Sequence, residues 1–210
     1  MAAGTLIGRS EADVAREGRE RLVAEGHDEA AFWIVASGPN SASPHHEPGE
    51  RVIEPGEPVL FDIGGFIDGY ASDITRTVWV SADGAAPDPE FAQLYDVLQR
   101  AQAAASAAVG AGVACEQIDA AARSVIAGAG LGEHFIHRTG HGIGLDVHED
   151  PYLVEGNDEL LQPGNAFSVE PGIYLEGRFG ARIEDIVVCR SDGPDVLNQA
   201  PRELRVVAGR

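Results

Sequence analysis

The sequence predicts an α+β fold, and three observations carry the prediction. Helical and β-rich segments occupy separate blocks instead of alternating, two stretches read as β-hairpins, and an Ala-rich helical block lies between those hairpins.

The first element is a helix, SEADVAREGRERLVAEG, with Ser10 placed as N-cap, acids in the first turn and Gly26 as its stop. Residues 30–38 (AAFWIVASG) are rich in β-formers and end in a Gly/Pro/Asn/Ser cluster. PHHEPGERVIEPGE then supplies turns before the strand PVLFDIGG. FIDGYASDITRTVWV reads as the return strand of a hairpin, because β-branched and aromatic residues flank the turn signal at Asp68 and Gly69. Asp88 as N-cap and Pro89 in the first turn open an Ala-rich helix, and a further helix is predicted near 115–127. Beyond Gly128 the chain turns Gly- and His-rich, then returns to strands around AFSVEPGIYL, ARIEDIVVC and LRVV. There is no repeat of fixed period and nothing mid-chain resembles a linker, so the 210 residues read as one folded unit.

Composition excludes several function classes. With 15 Lys and Arg against 34 Asp and Glu, the formal net charge is −19, which repels nucleic-acid phosphates and leaves no basic patch for a membrane surface. At 44% hydrophobic and 23% charged residues the chain is not disordered as a whole. Its longest apolar runs, near 103–109 and 183–189, fall far short of the ~20 residues that cross a bilayer. The start, MAAGTLIGRSEAD, lacks the pattern of a secretory signal. Cys115 and Cys189 sit in apolar surroundings without a CxxC partner and read as reduced packing residues, from which a cytoplasmic location is expected.

The chemistry begins with Asp62 and Asp73, which bracket the first hairpin. A two-residue loop at 67–68 makes them direct partners on one face, whereas a loop at 68–69 makes them diagonal neighbours on that same face. Like charges so placed repel unless a cation lies between them. Glu170 and Glu184 repeat the arrangement in a second hairpin centred on Gly177, within EGRFG. Any one of these acids alone reads as a solvated edge-strand carboxylate. All four together, within otherwise apolar strands and with only Arg76, Arg178 and Arg182 as basic neighbours, need compensation that a metal ion supplies. Carboxylate-dominated ligation suits Mn²⁺, with Co²⁺, Fe²⁺ or Zn²⁺ as alternatives, and the cysteine placement excludes a thiolate site. The imidazoles to join it come from loops punctuated by Gly and Pro: His45, His137, His141 and His148. Gly140, Gly142 and Gly144 clear side chains from around His141, which permits close approach.

At these residues the chain resembles a known family. DIGGFIDGYASDITRT, HRTGHGIGLDVHE, VEPGIY and RIED are similar to the signature of the pita-bread dinuclear metallopeptidases, in the branch of Xaa-Pro dipeptidase (prolidase) and aminopeptidase P, and the likeness runs from about residue 10 to 207. The resemblance implies a curved antiparallel sheet covered by helices and two divalent metal ions. Asp62 would bind one ion, Asp73 and Glu184 would bridge both, and His141 and Glu170 would complete the second. It also implies that His45 and His148 face the substrate and stabilise the tetrahedral intermediate. His137 would line the same pocket, and Arg182 would steady the carboxylates there.

The implied reaction is hydrolysis of the bond between an N-terminal residue and proline by a metal-bridging hydroxide, with Glu170 as general base and proton donor to the leaving nitrogen. Short peptides with proline second are the expected partners, without nucleic acid or membrane, and a homodimer is compatible. Methionine aminopeptidase, another pita-bread amide hydrolase, or a non-catalytic peptide-binding homologue remain as alternatives. Residues 1–210 are expected to form a single catalytic domain without the family's usual N-terminal domain and first helix.

Overall fold

The computed structural model describes residues 5–208. Helix α1 (Glu11–Ala24) is capped as expected, the Ser10 hydroxyl accepting a 3.1 Å hydrogen bond from the Asp13 N–H. It leads into β1 (Glu29–Ser37), which pairs antiparallel with β2 (Glu57–Ile67), and β2 pairs antiparallel with β3 (Tyr70–Ser81). The turn residues Asp68 and Gly69 both take positive φ, 52° and 79°, a geometry that matches strand twist and favours Asp-Gly. Ile67 therefore faces Tyr70, and Asp62 faces Thr75 while Asp73 faces Gly64. Of the two loops considered, the one at 68–69 is realised, and the two aspartates are diagonal neighbours on one face.

Asp88 caps α2 (Pro89–Ala108) by accepting from the Glu90 and Phe91 N–H groups. Helix α3 (Cys115–Gly128) follows and packs against α2. A second sheet contains β4 (Gly140–Gly142), β5 (Glu149–Leu153), β6 (Ala166–Val169), β9 (Asp185–Arg190) and β10 (Gly193–Val196), in the order β10-β9-β6-β4-β5. The strands β7 (Gly172–Leu175) and β8 (Phe179–Arg182) form a separate ribbon, and β11 (Arg205–Ala208) adds in parallel to β3.

Each sheet has its own helical cover. Val14 and Ala15 of α1 join Trp33, Val35, Phe61 and Val80 of the first sheet in one core; α2 and α3 bury Phe91, Leu98, Ile118 and Ile126 against Phe167, Val187 and Cys189 of the second. Both cysteines are free and buried. No described helix is long and apolar enough to cross a membrane. The uncovered faces of the two sheets meet, and the Glu184 N–H bonds the Thr75 carbonyl at their junction, 3.1 Å away.

The second hairpin keeps one register throughout, Val169 facing Asp185 in the sheet and Gly172 facing Arg182 in the ribbon. Pairing lapses between them, where Glu170 and Glu184 lie. The segment around His141, read from its glycines as a loop, is a short strand. Glycine permits it: a Cβ on Gly140 would collide with the Ser168 carbonyl, and one on Gly142 with the carbonyls of Asp150 and Glu149.

Candidate metal centre

All nine residues singled out in the sequence line one cavity of about 890 Å³: Asp62, Asp73, Glu170 and Glu184, His45, His137, His141 and His148, and Arg182. Strand alternation aims Asp62 and Asp73 inward from the first sheet. The lapse in pairing turns Glu170 and Glu184 toward them from the second, and β4 presents His141. The ligand atoms of Asp73, His141 and Glu184 all lie within 4.8 Å of one another, close enough to share a cation. His141 Nε2 is 3.2 Å from Glu170 Oε1 and 3.8 Å from Asp73 Oδ2.

The imidazole tautomers follow from their partners. His141 Nδ1 lies 3.0 Å from the Gly142 carbonyl oxygen, which can only accept. The proton therefore sits on Nδ1 and leaves Nε2 with a lone pair aimed at the carboxylates, as a metal ligand requires. His137 likewise donates from Nδ1 to the Arg138 carbonyl at 2.7 Å, so its Nε2 accepts from the Tyr174 hydroxyl at 2.9 Å. The exposed ring of His148 packs against His141 with centroids 4.2 Å apart.

Charge crowding in a buried space sets the protonation. Burial pushes the carboxyl groups of Asp73 and Glu184 well above the ordinary range, and neighbouring carboxylates raise them further. Burial also raises Glu170 to about 7 against the pull of Arg182. Burial depresses His141 to about 4 and His137 to about 3, so both are neutral near pH 7.

Three buried oxygens in this cavity, Asp62 Oδ1, Asp73 Oδ1 and Glu184 Oε1, have no hydrogen-bond partner. Orphaned carboxylate oxygens are costly, and a donor set of four carboxylates with one imidazole matches a hard divalent cation. The residues present fit a metal centre.

Arg182, the supporting residue that the resemblance implied, is joined by others that carried no sequence signal. Arg182, 3% exposed, donates to Asp62 Oδ2 at 2.5 Å, to the Tyr174 hydroxyl at 2.8 Å and to Thr75 Oγ1 at 3.3 Å. Ser168 accepts from the His141 N–H and donates to Glu170 Oε1, both at 3.0 Å. Asn198 donates to the Asp73 carbonyl and accepts from the Ile186 N–H. Of the arginines thought to neighbour the acids, Arg178 is instead paired with the exposed Glu90, and Arg76 reaches round to Asp185 and the Glu184 carbonyl. Arg138, not counted among them, lines the cavity. These partners are distant in sequence, and single Ser, Asn or Arg residues have no periodicity to reveal them.

Comparison with known proteins agrees with this geometry. The family model described as Metallopeptidase family M24 matches residues 2–191. A probable dipeptidase PepE of Mycobacterium tuberculosis is 57% identical over 201 residues, covering 95% of this chain and 52% of the relative. An Xaa-Pro dipeptidase of Lactobacillus helveticus is 46% identical over 174 residues, covering 83% of this chain and 46% of the relative. The crystal structure of dipeptidase PepE from Mycobacterium ulcerans superposes with a TM-score of 0.95 at 54% identity, covering 99% of this chain and 55% of that one. The chain thus spans about half the length of the relatives it matches. The paired sheets under their helices are the pita-bread arrangement of prolidases and aminopeptidase P.

Proposed function

The chain belongs to metallopeptidase family M24, and on that premise we propose that it hydrolyses the peptide bond between an N-terminal residue and proline, as an Xaa-Pro dipeptidase or aminopeptidase dependent on two divalent ions. The observation that carries the reading is the convergence of five oxygen and nitrogen donors, three of them with orphaned buried oxygens, in a cavity that also holds three further histidines. Asp62, Asp73, His141, Glu170 and Glu184 are the proposed ligands, Asp73 and Glu184 serving both ions, with Mn²⁺ first among the metals and Co²⁺, Fe²⁺ or Zn²⁺ as alternatives. When bound, such ions supply an activated water and polarise the scissile carbonyl.

The chain's own groups do the rest. Glu170, raised to about 7 by burial, is suited to take a proton from the attacking water and return it to the proline nitrogen, which as a tertiary amide leaves only when protonated. His45 and His148 are exposed on the cavity wall, which supports a role for them in binding the peptide and donating to the oxyanion of the tetrahedral intermediate. Arg182 holds Asp62 and, through Tyr174, keeps His137 in its acceptor form. Two buried thiols fit a reducing cytoplasm.

The test is to incubate metal-stripped protein with Gly-Pro, Ala-Pro and a longer Xaa-Pro peptide, with and without Mn²⁺. Release of the N-terminal residue only when metal is restored is the expected result. No metal-dependent release from any of the three would overturn the reading.

A further inference from the structure

The connection between β1 and β2 carries His45, and beyond a short 3₁₀ helix (Gly38–Ala42) neither helix nor strand holds it as far as Gly49. A segment of this kind takes its order from individual hydrogen bonds. Six of them converge on one carboxylate. Glu11, in the first turn of α1, is fully buried. Its Oε1 accepts from the Ser37 N–H at 2.7 Å, from the Ser37 hydroxyl at 2.8 Å and from the Asn40 side-chain amide at 3.1 Å. Its Oε2 accepts from the same amide at 3.1 Å, from His46 Nε2 at 2.8 Å and from the Gly49 N–H at 3.4 Å. The Ser37 hydroxyl accepts from Arg51 at 2.6 Å, so its one proton is left for Glu11.

Burial works to raise the Glu11 carboxyl, yet the donors from His46, Ser37 and Asn40 together hold it below the ordinary range, so it is ionised near pH 7. An ionised carboxylate only accepts, and His46 Nε2 therefore carries a proton. None of these partners is a proposed metal ligand. What they share is the loop that presents His45, and that residue stands between two anchors. On one side the Pro44 carbonyl accepts from Arg182 at 3.3 Å; on the other, His46 is tied to Glu11. The Gly180 N–H also bonds Ser41 Oγ at 2.9 Å, so β8 holds the loop as well as α1. Nothing among the described residues hydrogen-bonds the His45 ring, which lines the cavity. Its place is set by the backbone on either side.

We infer that Glu11 is a positioning residue for His45: through His46 and the loop it fixes where the His45 imidazole stands in the cavity, without itself touching substrate or metal. The work assigned to His45 rests on the proposed function; the anchoring of its loop does not.

The experiment has two arms, run on Mn²⁺-loaded wild type, Glu11→Gln, His46→Leu and His46→Gln. The first measures amide hydrogen exchange. Exchange over residues 38–49 should quicken about tenfold or more in Glu11→Gln and His46→Leu, the scale of one bond to a charged group, while β3 keeps its wild-type rates. Unchanged exchange over 38–49 in both variants overturns the inference. The second arm measures kcat and KM for Ala-Pro and adds His45→Ala and the His45→Ala, His46→Leu double variant to close a double-mutant cycle. In His46→Leu, kcat should fall about tenfold or more with bound Mn²⁺ unchanged, because a small displacement of a reacting group is costly. His46→Gln keeps an N–H donor and should recover much of that loss. Once the His45 ring is gone, His46→Leu should cost less than about twofold more. An equal cost with and without His45, or a loss of bound metal that matches the loss of kcat, overturns the inference in favour of a general structural role. Should Glu11→Gln fail to fold, His46→Leu carries both arms. If the wild type cleaves no peptide, the hydrolytic reading falls, and the exchange arm still decides whether Glu11 sets the loop.

Discussion

Thr75 and Glu184 are fastened twice: the threonine hydroxyl donates to Glu184 Oε2 at 2.6 Å, and the Glu184 N–H donates to the Thr75 carbonyl at 3.1 Å. Thr75 lies on β3 and Glu184 in the unpaired segment between β8 and β9, 109 positions apart. The pair fixes where the Glu184 carboxylate stands relative to Asp73 on the neighbouring position of β3's inner face.

Replacing Thr75 by Val keeps the shape and removes the hydroxyl. Glu184 then loses its orienting partner, and metal affinity is expected to fall by about 10- to 100-fold, measured by competition with a chromogenic chelator. Thr75→Ser retains the donor and should stay within a few-fold of the wild type.

Asp73 and Glu184 are the proposed shared ligands, so Asp73→Ala or Glu184→Ala should each lower bound metal as well as activity. Elemental analysis of purified protein reads this directly. Retention of two metals per chain in either variant would refute the bridging assignment.

Metal-free protein should lose stability as pH rises. Carboxyl groups raised in the folded state bind protons there more tightly than in the unfolded chain. Between the ordinary carboxylate value of about 4 and the raised values, about 7 for Glu170, the folded state holds more protons and its advantage shrinks with increasing pH. The depressed histidines act oppositely, since stability from His137 and His141 is complete above about 6.5 and falls as pH drops toward 4 and 3. From pH 6.5 to 8 only the carboxylate contribution remains. Tm of the metal-free wild type should decline there, while Asp73→Asn flattens the slope and saturating Mn²⁺ raises Tm throughout.

Gly140→Ala would drive a methyl group into the Ser168 carbonyl, with backbone on both sides of the collision. A cost of about 1–3 kcal/mol is expected from the overpacking, read by urea denaturation. Because His141 is the next residue and its N–H bonds Ser168 Oγ, bound metal should fall with it.

Much of the fold was legible from local signals. Ser10 and Asp88 cap the helices they were expected to cap, and Asp68-Gly69 makes the first turn. The alternation around Asp62 and Asp73 put both on one face, and the centre at Gly177 set Glu170 opposite Glu184. What stayed hidden was non-local or atypical: β4, whose glycines suppress strand propensity because carbonyls approach from both sides, and Arg138, which lies in a segment read for its histidines.

The sequence by itself determined the residue types and their order: four acids and a set of histidines spaced for a metal centre, on elements whose caps, turns and period-two patterns are encoded within a few residues. Only the tertiary structure decided that Arg182 is spent on Asp62, that Thr75 steadies Glu184, and that His137 and His141 carry their protons on Nδ1. These outcomes depend on hydrogen bonds and burial between segments brought together by the meeting of two sheets, and no local pattern records which partner a long polar side chain will find there.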